Sequence, residues 1–296
     1  MDNAQPVINE PLVRRLVAAQ FPGWADQPIR PIVPGGWDNR TFRLGDDLVA
    51  RLPSAACYAA QVEKEHRWLP VLAPSLPLAI PTPVGLGRPA DGYPWPWSIY
   101  RWLDGEITSS AHVTNWNDVG VDLARFLVAL RGIDTTGGPE PGAHNFHRGG
   151  SLTTYDTQVR QALAKLEGHI NAAAVTPIWE AALATTWHDA PVWLHGDVSP
   201  ANLLFSEGRL HALIDFGMLG VGDPACDLVI AWTMFQGESR DIFRAATNLD
   251  EGTWARGRAW ALWKALIVAA KLTDTNAQES AAPWRVINEV LADTRR

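Results

Sequence analysis

Three oxygen-bearing side chains, Asp197, Asn202 and Asp215, follow one another at spacings of five and thirteen residues. A carboxylate paired with an amide oxygen suits Mg²⁺, which prefers hard oxygen ligands and completes its shell with water and phosphate oxygens. Asn202 and Asp215 are therefore the candidate metal pair, and the ligand they imply is phosphorylated. Asp197 lies within the run His195-Gly196-Asp197-Val198-Ser199-Pro200-Ala201-Asn202. It is close enough along the chain to address a substrate hydroxyl beside that ion, which makes it the candidate general base. Taken alone, either His195-Gly196-Asp197 or Asp215-Phe216-Gly217 reads as a turn; the two at this spacing, with a hairpin between them, point to chemistry.

The elements that must position these groups are short. Val192 to Leu194, Asn202 to Phe205 and Leu210 to Ile214 are apolar segments, and Glu207-Gly208 is the expected hairpin turn. A hairpin turning there sets Asn202 opposite Leu213. Asp215 then falls one diagonal step beyond on the same face, roughly 7 to 8 Å away at Cα. Asp223 and Pro224 read as a helix start, because Asp caps exposed N–H groups and Pro tolerates the first turn.

Upstream, Asn9 and Pro11 open a helix carrying Leu12, Leu16 and Ala19 and ending near Pro22. Ile29 to Val33, Thr41 to Leu44 and Leu48 to Leu52 read as a three-stranded antiparallel meander, broken at Pro34-Gly35-Gly36 and Gly45-Asp46-Asp47. A helix is expected over 55–69, then strands near 84–87 and 98–103. On that helix Glu65 aligns with Val62, Leu69 and Leu72, so it faces inward, and an ion pair with Arg51 is the economical explanation. From Trp116 onward, amphipathic runs predict helices over 119–130, 154–167, 177–186, 224–235, 253–272 and 283–292.

The segment 195–202 resembles the catalytic loop of kinases, and Gly196 makes it similar to the aminoglycoside phosphotransferase family rather than to protein kinases. Ile214-Asp215-Phe216-Gly217 matches the metal motif of that superfamily. The resemblance spans nearly the whole chain and implies an α+β, bilobal protein-kinase-like fold. It divides the chain into a β-rich nucleotide lobe over 1–104 and a helical lobe over 105–296. It assigns Asp197 as base, Asn202 and Asp215 to Mg²⁺ and His195 to bracing the loop. Asp227, in Gly222-Asp223-Pro224-Ala225-Cys226-Asp227-Leu228, is assigned to steadying that loop by accepting backbone N–H bonds. Gly35, Gly36 and Asn39, otherwise a plain hairpin turn, would fold over nucleotide phosphates. Arg51 stands where the superfamily carries a phosphate-binding Lys; a guanidinium keeps the charge but presents a longer planar fork. Tyr100 and Trp102 fall where the backbone would meet the adenine, with a purely structural role open for Trp102.

Only Met218 to Gly222 separate Gly217 from Asp223, which leaves no room for an activation segment and favours a small-molecule acceptor over a protein. The expectation is transfer of the γ-phosphate of ATP or GTP to a hydroxylated small molecule such as an aminoglycoside. Macrolide hydroxyls and metabolite alcohols stay open, as does a catalytically idle nucleotide-binding protein. The first 104 residues hold 10 acids and 10 bases, so the net charge of -7 belongs to the remainder, which would attract a cationic acceptor. That balance disfavours nucleic acid as a partner. No apolar run of about 18 residues or export signal is visible, and two cysteines form no disulfide framework, so a cytoplasmic, membrane-free location is expected.

Overall fold

The computed structural model describes residues 6–33, 35–109, 111–273, 275 and 280–293, so residues 1–5 of the expected N-terminal segment and Pro34 of the expected turn lie outside the described residues. The chain divides into two compact units. One comprises residues 1–74, 79–104 and 213–217, and the other 75–78, 105–212 and 218–296. One division falls between Asp104 and Gly105, and the segment carrying Asp215 groups with the N-terminal unit, where the N–H of Leu213 donates to the Ala79 carbonyl at 3.0 Å.

The first unit is built on a five-stranded antiparallel sheet in the order β1-β2-β3-β5-β4. Its strands are β1 (Ile29–Pro31), β2 (Asn39–Leu44), β3 (Leu48–Pro53), β4 (Pro83–Gly87) and β5 (Trp97–Arg101). Alternation buries Phe42 and Leu44 of β2 against Leu48, Ala50 and Leu52 of β3. Helix α1 (Glu10–Gln20), capped by Asn9 accepting from the Leu12 N–H at 3.0 Å, adds Leu12, Val13, Leu16 and Val17 to the same core. β1 stops short of the expected Val33, which is 84% exposed. Helix α2 (Ala59–Leu72) runs three residues past the expected end, continuing through Pro70. At that position Pro forgoes one hydrogen bond in the last turn, where there is little helix left to disrupt.

In the second unit β7 (Val192–Leu194) pairs antiparallel with β10 (Gly220–Gly222), while β6 (Glu106–Ile107), β8 (Leu203–Ser206) and β9 (Arg209–Leu213) form a three-stranded sheet. Glu207 and Gly208 have φ of +51° and +76°, so the β8–β9 turn falls where the sequence places it, with two left-handed residues as a two-residue hairpin requires. The helices are α3 (Trp116–Arg131), α4 (Asp156–Lys165), α5 (Ala172–Leu183), α6 (Ile230–Thr233), α7 (Gly237–Thr247), α8 (Glu251–Ala269) and α9 (Pro283–Asp293). α5 begins five residues before the expected Pro177, because Asn171 supplies an N-cap to Ala174 at 3.2 Å. The single helix expected over 224–235 is instead a 3-10 turn, Pro224–Val229, followed by the four-residue α6. β6, β10 and α7 were not expected. α7 buries Ser239, Arg240, Phe243 and Thr247 at helical spacing. Of its buried positions only Phe243 is apolar.

Candidate active site

The loop over residues 195–202 leaves the C-terminal end of β7 and is held by contacts within the second unit. The buried Asp227 carboxylate accepts the N–H of His195 at 2.9 Å and of Gly196 at 2.7 Å. Burial pushes the Asp227 carboxyl up, while His195 and the two N–H bonds act in the opposite direction. His195 is fully buried, and its Nδ1 accepts the Asp197 N–H at 3.2 Å, which sets the other ring nitrogen as the protonated one. Asn202 sits in the 3-10 turn just before β8, and its Nδ2 donates to the Asp197 carbonyl at 2.9 Å and to Asp197 Oδ2 at 3.0 Å. With its nitrogen engaged on Asp197, the side-chain atom that Asn202 can offer a cation is the amide oxygen. Gly196 has φ +85°, and a Cβ there would lie 2.4 Å from the Met218 carbonyl oxygen, so no side chain fits at this point of the loop.

The first unit assembles a second cluster around Asp215. Arg51, on β3, donates from Nη2 to Asp215 Oδ1 at 2.6 Å, while its Nη1 stands 3.6 Å from Glu65 Oε1. The expected ion pair of Arg51 with Glu65 is present, Arg51 makes a closer hydrogen bond to Asp215 besides, and the Tyr100 hydroxyl donates to Glu65 Oε2. Burial opposes the Arg51 cation, yet Asp215 and Glu65 more than offset it and hold the guanidinium above its ordinary range. Burial likewise raises the Glu65 carboxyl against the pull of Arg51. Asp215 itself adopts φ +67°, a left-handed conformation that Asp takes more readily than most non-glycine residues.

Two further residues of α2 reach the same turn, and neither was singled out in the sequence. Lys64 Nζ donates to the Gly217 carbonyl at 2.7 Å, and burial pushes its ammonium down to about 8. Gln61 packs so closely that a Cβ on Gly217 would lie 2.5 Å from its Oε1. With Glu65, these residues occupy positions i, i+3 and i+4, a polar stripe on one helix face that only a known partner could make meaningful.

The remaining nucleotide-side candidates are placed as follows. Gly35 and Gly36 lie in an open loop, where an added Cβ would meet nothing nearer than 3.5 Å, and Asn39 opens β2 and is buried. Tyr100 is buried, its hydroxyl engaged on Glu65, so its side chain supports Arg51's surroundings rather than facing a ring. The Trp102 N–H donates to the Asp47 carbonyl at 2.8 Å, and its indole N–H to Asp104 at 2.7 Å, with the Arg43 guanidinium 3.8 Å above the ring.

As a donor set, the Asn202 amide oxygen and the Asp215 carboxylate fit Mg²⁺ in chemistry: both are hard, and Asp215 has a second oxygen besides the one on Arg51. Asp223 both caps the 3-10 turn at Ala225 and pairs with Arg256 at 2.6 Å; that buried ion pair had no sequence signal. A cavity of about 550 Å³ in the second unit is lined by Glu140, Trp187, Asp223 and Arg256 among others, but by no residue of 195–202. Its lining includes Val221 and Gly222, at the end of β10 that pairs with Val192. Among the described residues, no helix is long and apolar enough to cross a membrane.

Comparison with known proteins bears on this geometry. The GDP complex of wild-type aminoglycoside 2'-phosphotransferase-IIIa is similar with a TM-score of 0.75 and 19% identity, over 97% of this chain and 100% of that one. The streptomycin-ATP-APH(2")-IIa ternary complex gives 0.63 and 19%, covering 97% of each chain. Macrolide 2'-phosphotransferase MphH from Brachybacterium faecium gives 0.61 and 23%, covering 94% of this chain and 97% of that one. These likenesses establish a kinase-like α+β fold. No curated protein sequence matches. Residues 29–260, covering every candidate of both clusters, match the Phosphotransferase enzyme family, and the chain belongs to that family.

Proposed function

We propose that the protein transfers the γ-phosphoryl group of ATP or GTP to a hydroxyl of a small molecule, an aminoglycoside, a macrolide or a related antibiotic alcohol, in the cytoplasm where those donors reside. The observation that carries the reading is the Asn202 amide, which bonds Asp197 at both its carbonyl and its carboxylate and so aims the carboxylate. Asp197 orients the acceptor hydroxyl and takes its proton as the oxygen attacks phosphorus. Asp227 and His195 keep the loop in register through its N–H groups. Asn202 and Asp215 are the residues that would hold Mg²⁺, which when bound neutralises phosphate charge. Arg51 retains N–H donors beyond those facing Asp215 and Glu65, and the planar fork suits a phosphate oxygen pair. Positioning and charge complementarity account for most of the acceleration in this chemistry. The net charge of -7 suits a cationic acceptor and disfavours nucleic acid.

The test is a panel of kanamycin, gentamicin, streptomycin, erythromycin and simple metabolite alcohols, each with Mg-ATP and Mg-GTP. Nucleoside diphosphate release is followed together with the mass of one added phosphoryl group on the acceptor. At least one antibiotic is expected to be phosphorylated by the wild type and not by Asp197→Asn. A metabolite alcohol alone as acceptor would move the reading to metabolism. Mg²⁺-dependent nucleotide binding without any product would replace it with the catalytically idle alternative.

A further inference from the structure

The catalytic loop has a guanidinium attached to it that its own sequence does not supply. Arg148 Nε donates to the Gly196 carbonyl at 3.0 Å, one peptide before Asp197, and its Nη1 reaches back to the Phe146 carbonyl at 3.3 Å. The guanidinium carbon stands 4.9 Å from the centre of the Trp260 ring and 5.4 Å from that of Trp263, both buried on α8. Among the described residues no carboxylate lies within ion-pair distance of it. A half-buried cation held by carbonyl oxygens and indole faces rather than by an acid keeps its charge available to its surroundings.

The segment that delivers Arg148 is held by several contacts at once. Phe146 and His147 are consecutive non-glycine residues at φ +48° and +55°, a conformation that surrounding contacts must enforce. Asn145, fully buried, accepts the Gly142 N–H at 3.0 Å and donates to the Arg148 carbonyl at 3.2 Å. Gly149, at φ +83°, lies where a Cβ would fall 2.6 Å from Leu194, the residue before His195, and its carbonyl accepts the Asp223 N–H at 2.9 Å. The Tyr155 hydroxyl donates to the Phe146 carbonyl. All these contacts fix one side chain against the carbonyl face of a loop whose N–H face is held by Asp227.

We propose that Arg148 is a positioning residue for phosphoryl transfer. Fixed by residues 145–149 and clamped on Trp260 and Trp263, it holds the Gly196 carbonyl, so that Asp227 and Arg148 together set the peptide on which Asp197 is carried. The proposal rests on Asp197 as the base. Arg148→Met keeps the packing on the indoles and removes the donors; Arg148→Lys keeps the charge and a single-point donor.

Amide hydrogen exchange of the peptide spanning 192–202 is measured with no substrate present, beside phosphate release from Mg-ATP with water as acceptor and transfer to the panel alcohol that wild type modifies. In Arg148→Met the loop amides are expected to exchange roughly 10-fold faster and kcat to fall roughly 10- to 100-fold, with the nucleotide KM within about twofold of wild type. Arg148→Lys recovers part of both. Loop exchange and kcat at wild-type levels in Arg148→Met would overturn the proposal, as would a loss of kcat that only follows a lower melting temperature or a weaker nucleotide KM. Asp197→Asn run alongside separates the two readings: wild-type transfer in that variant removes the base assignment, while the exchange result still reports on Arg148.

Discussion

Arg51 shows how far a residue's neighbours decide its meaning. Its type and the inward direction of Glu65 were readable from helical spacing, but the 2.6 Å bond to Asp215 was not, because it joins residues 164 positions apart. Arg51→Met leaves the buried Glu65 carboxylate without its cation, a change that typically costs about 3 to 5 kcal/mol. A carboxyl whose folded-state value is raised favours the protonated form, so its contribution is present at low pH and is lost as pH rises. The variant is therefore expected to melt closest to wild type near pH 5 and to fall further behind by pH 8. Lys64 carries the opposite sign. Its ammonium is lowered from 10.5 to about 8, so the unfolded chain holds the extra proton between those values and stability rises with pH across that window. Lys64→Met should lose this rise, seen as a flatter dependence of melting temperature on pH between 8 and 10.

At the scale of elements, strands bounded by turn residues were the most legible. The β2–β3 and β8–β9 hairpins fall where Gly45-Asp46-Asp47 and Glu207-Gly208 place them, the first a three-residue loop with Gly45 at positive φ and the second a two-residue turn with both residues there. Helices whose inward face is apolar were also legible, as in α1 and α3. α7 was not, and neither was β10, whose three residues are strand only because β7 is there to pair with. Close approach in the loops was equally hidden. Gly196 and Gly92 share a left-handed φ, +85° and +81°, yet a Cβ at Gly92 meets nothing within 4 Å while one at Gly196 strikes the Met218 carbonyl. Gly92→Ala should cost only about 1 to 2 kcal/mol of conformational strain. Gly196→Ala adds a clash that displaces the loop, so it is expected to abolish phosphoryl transfer; urea unfolding and kcat of the two variants check the contrast.

For the whole molecule, the sequence carried the class of chemistry further than it carried the acceptor. Family membership over residues 29–260 agrees with that class of chemistry, phosphoryl transfer. Loops such as residues 142–150 take their shape from contacts with β7, β10 and α8 and have no periodic signature. The decisive measurement is single-turnover transfer from a radiolabelled γ-phosphate to the identified acceptor, comparing wild type with Asp197→Asn while nucleotide binding is titrated in parallel. A fall in the chemical step of roughly 100-fold or more with unchanged nucleotide affinity is the result predicted for loss of a general base. Transfer by Asp197→Asn at the wild-type rate would contradict it.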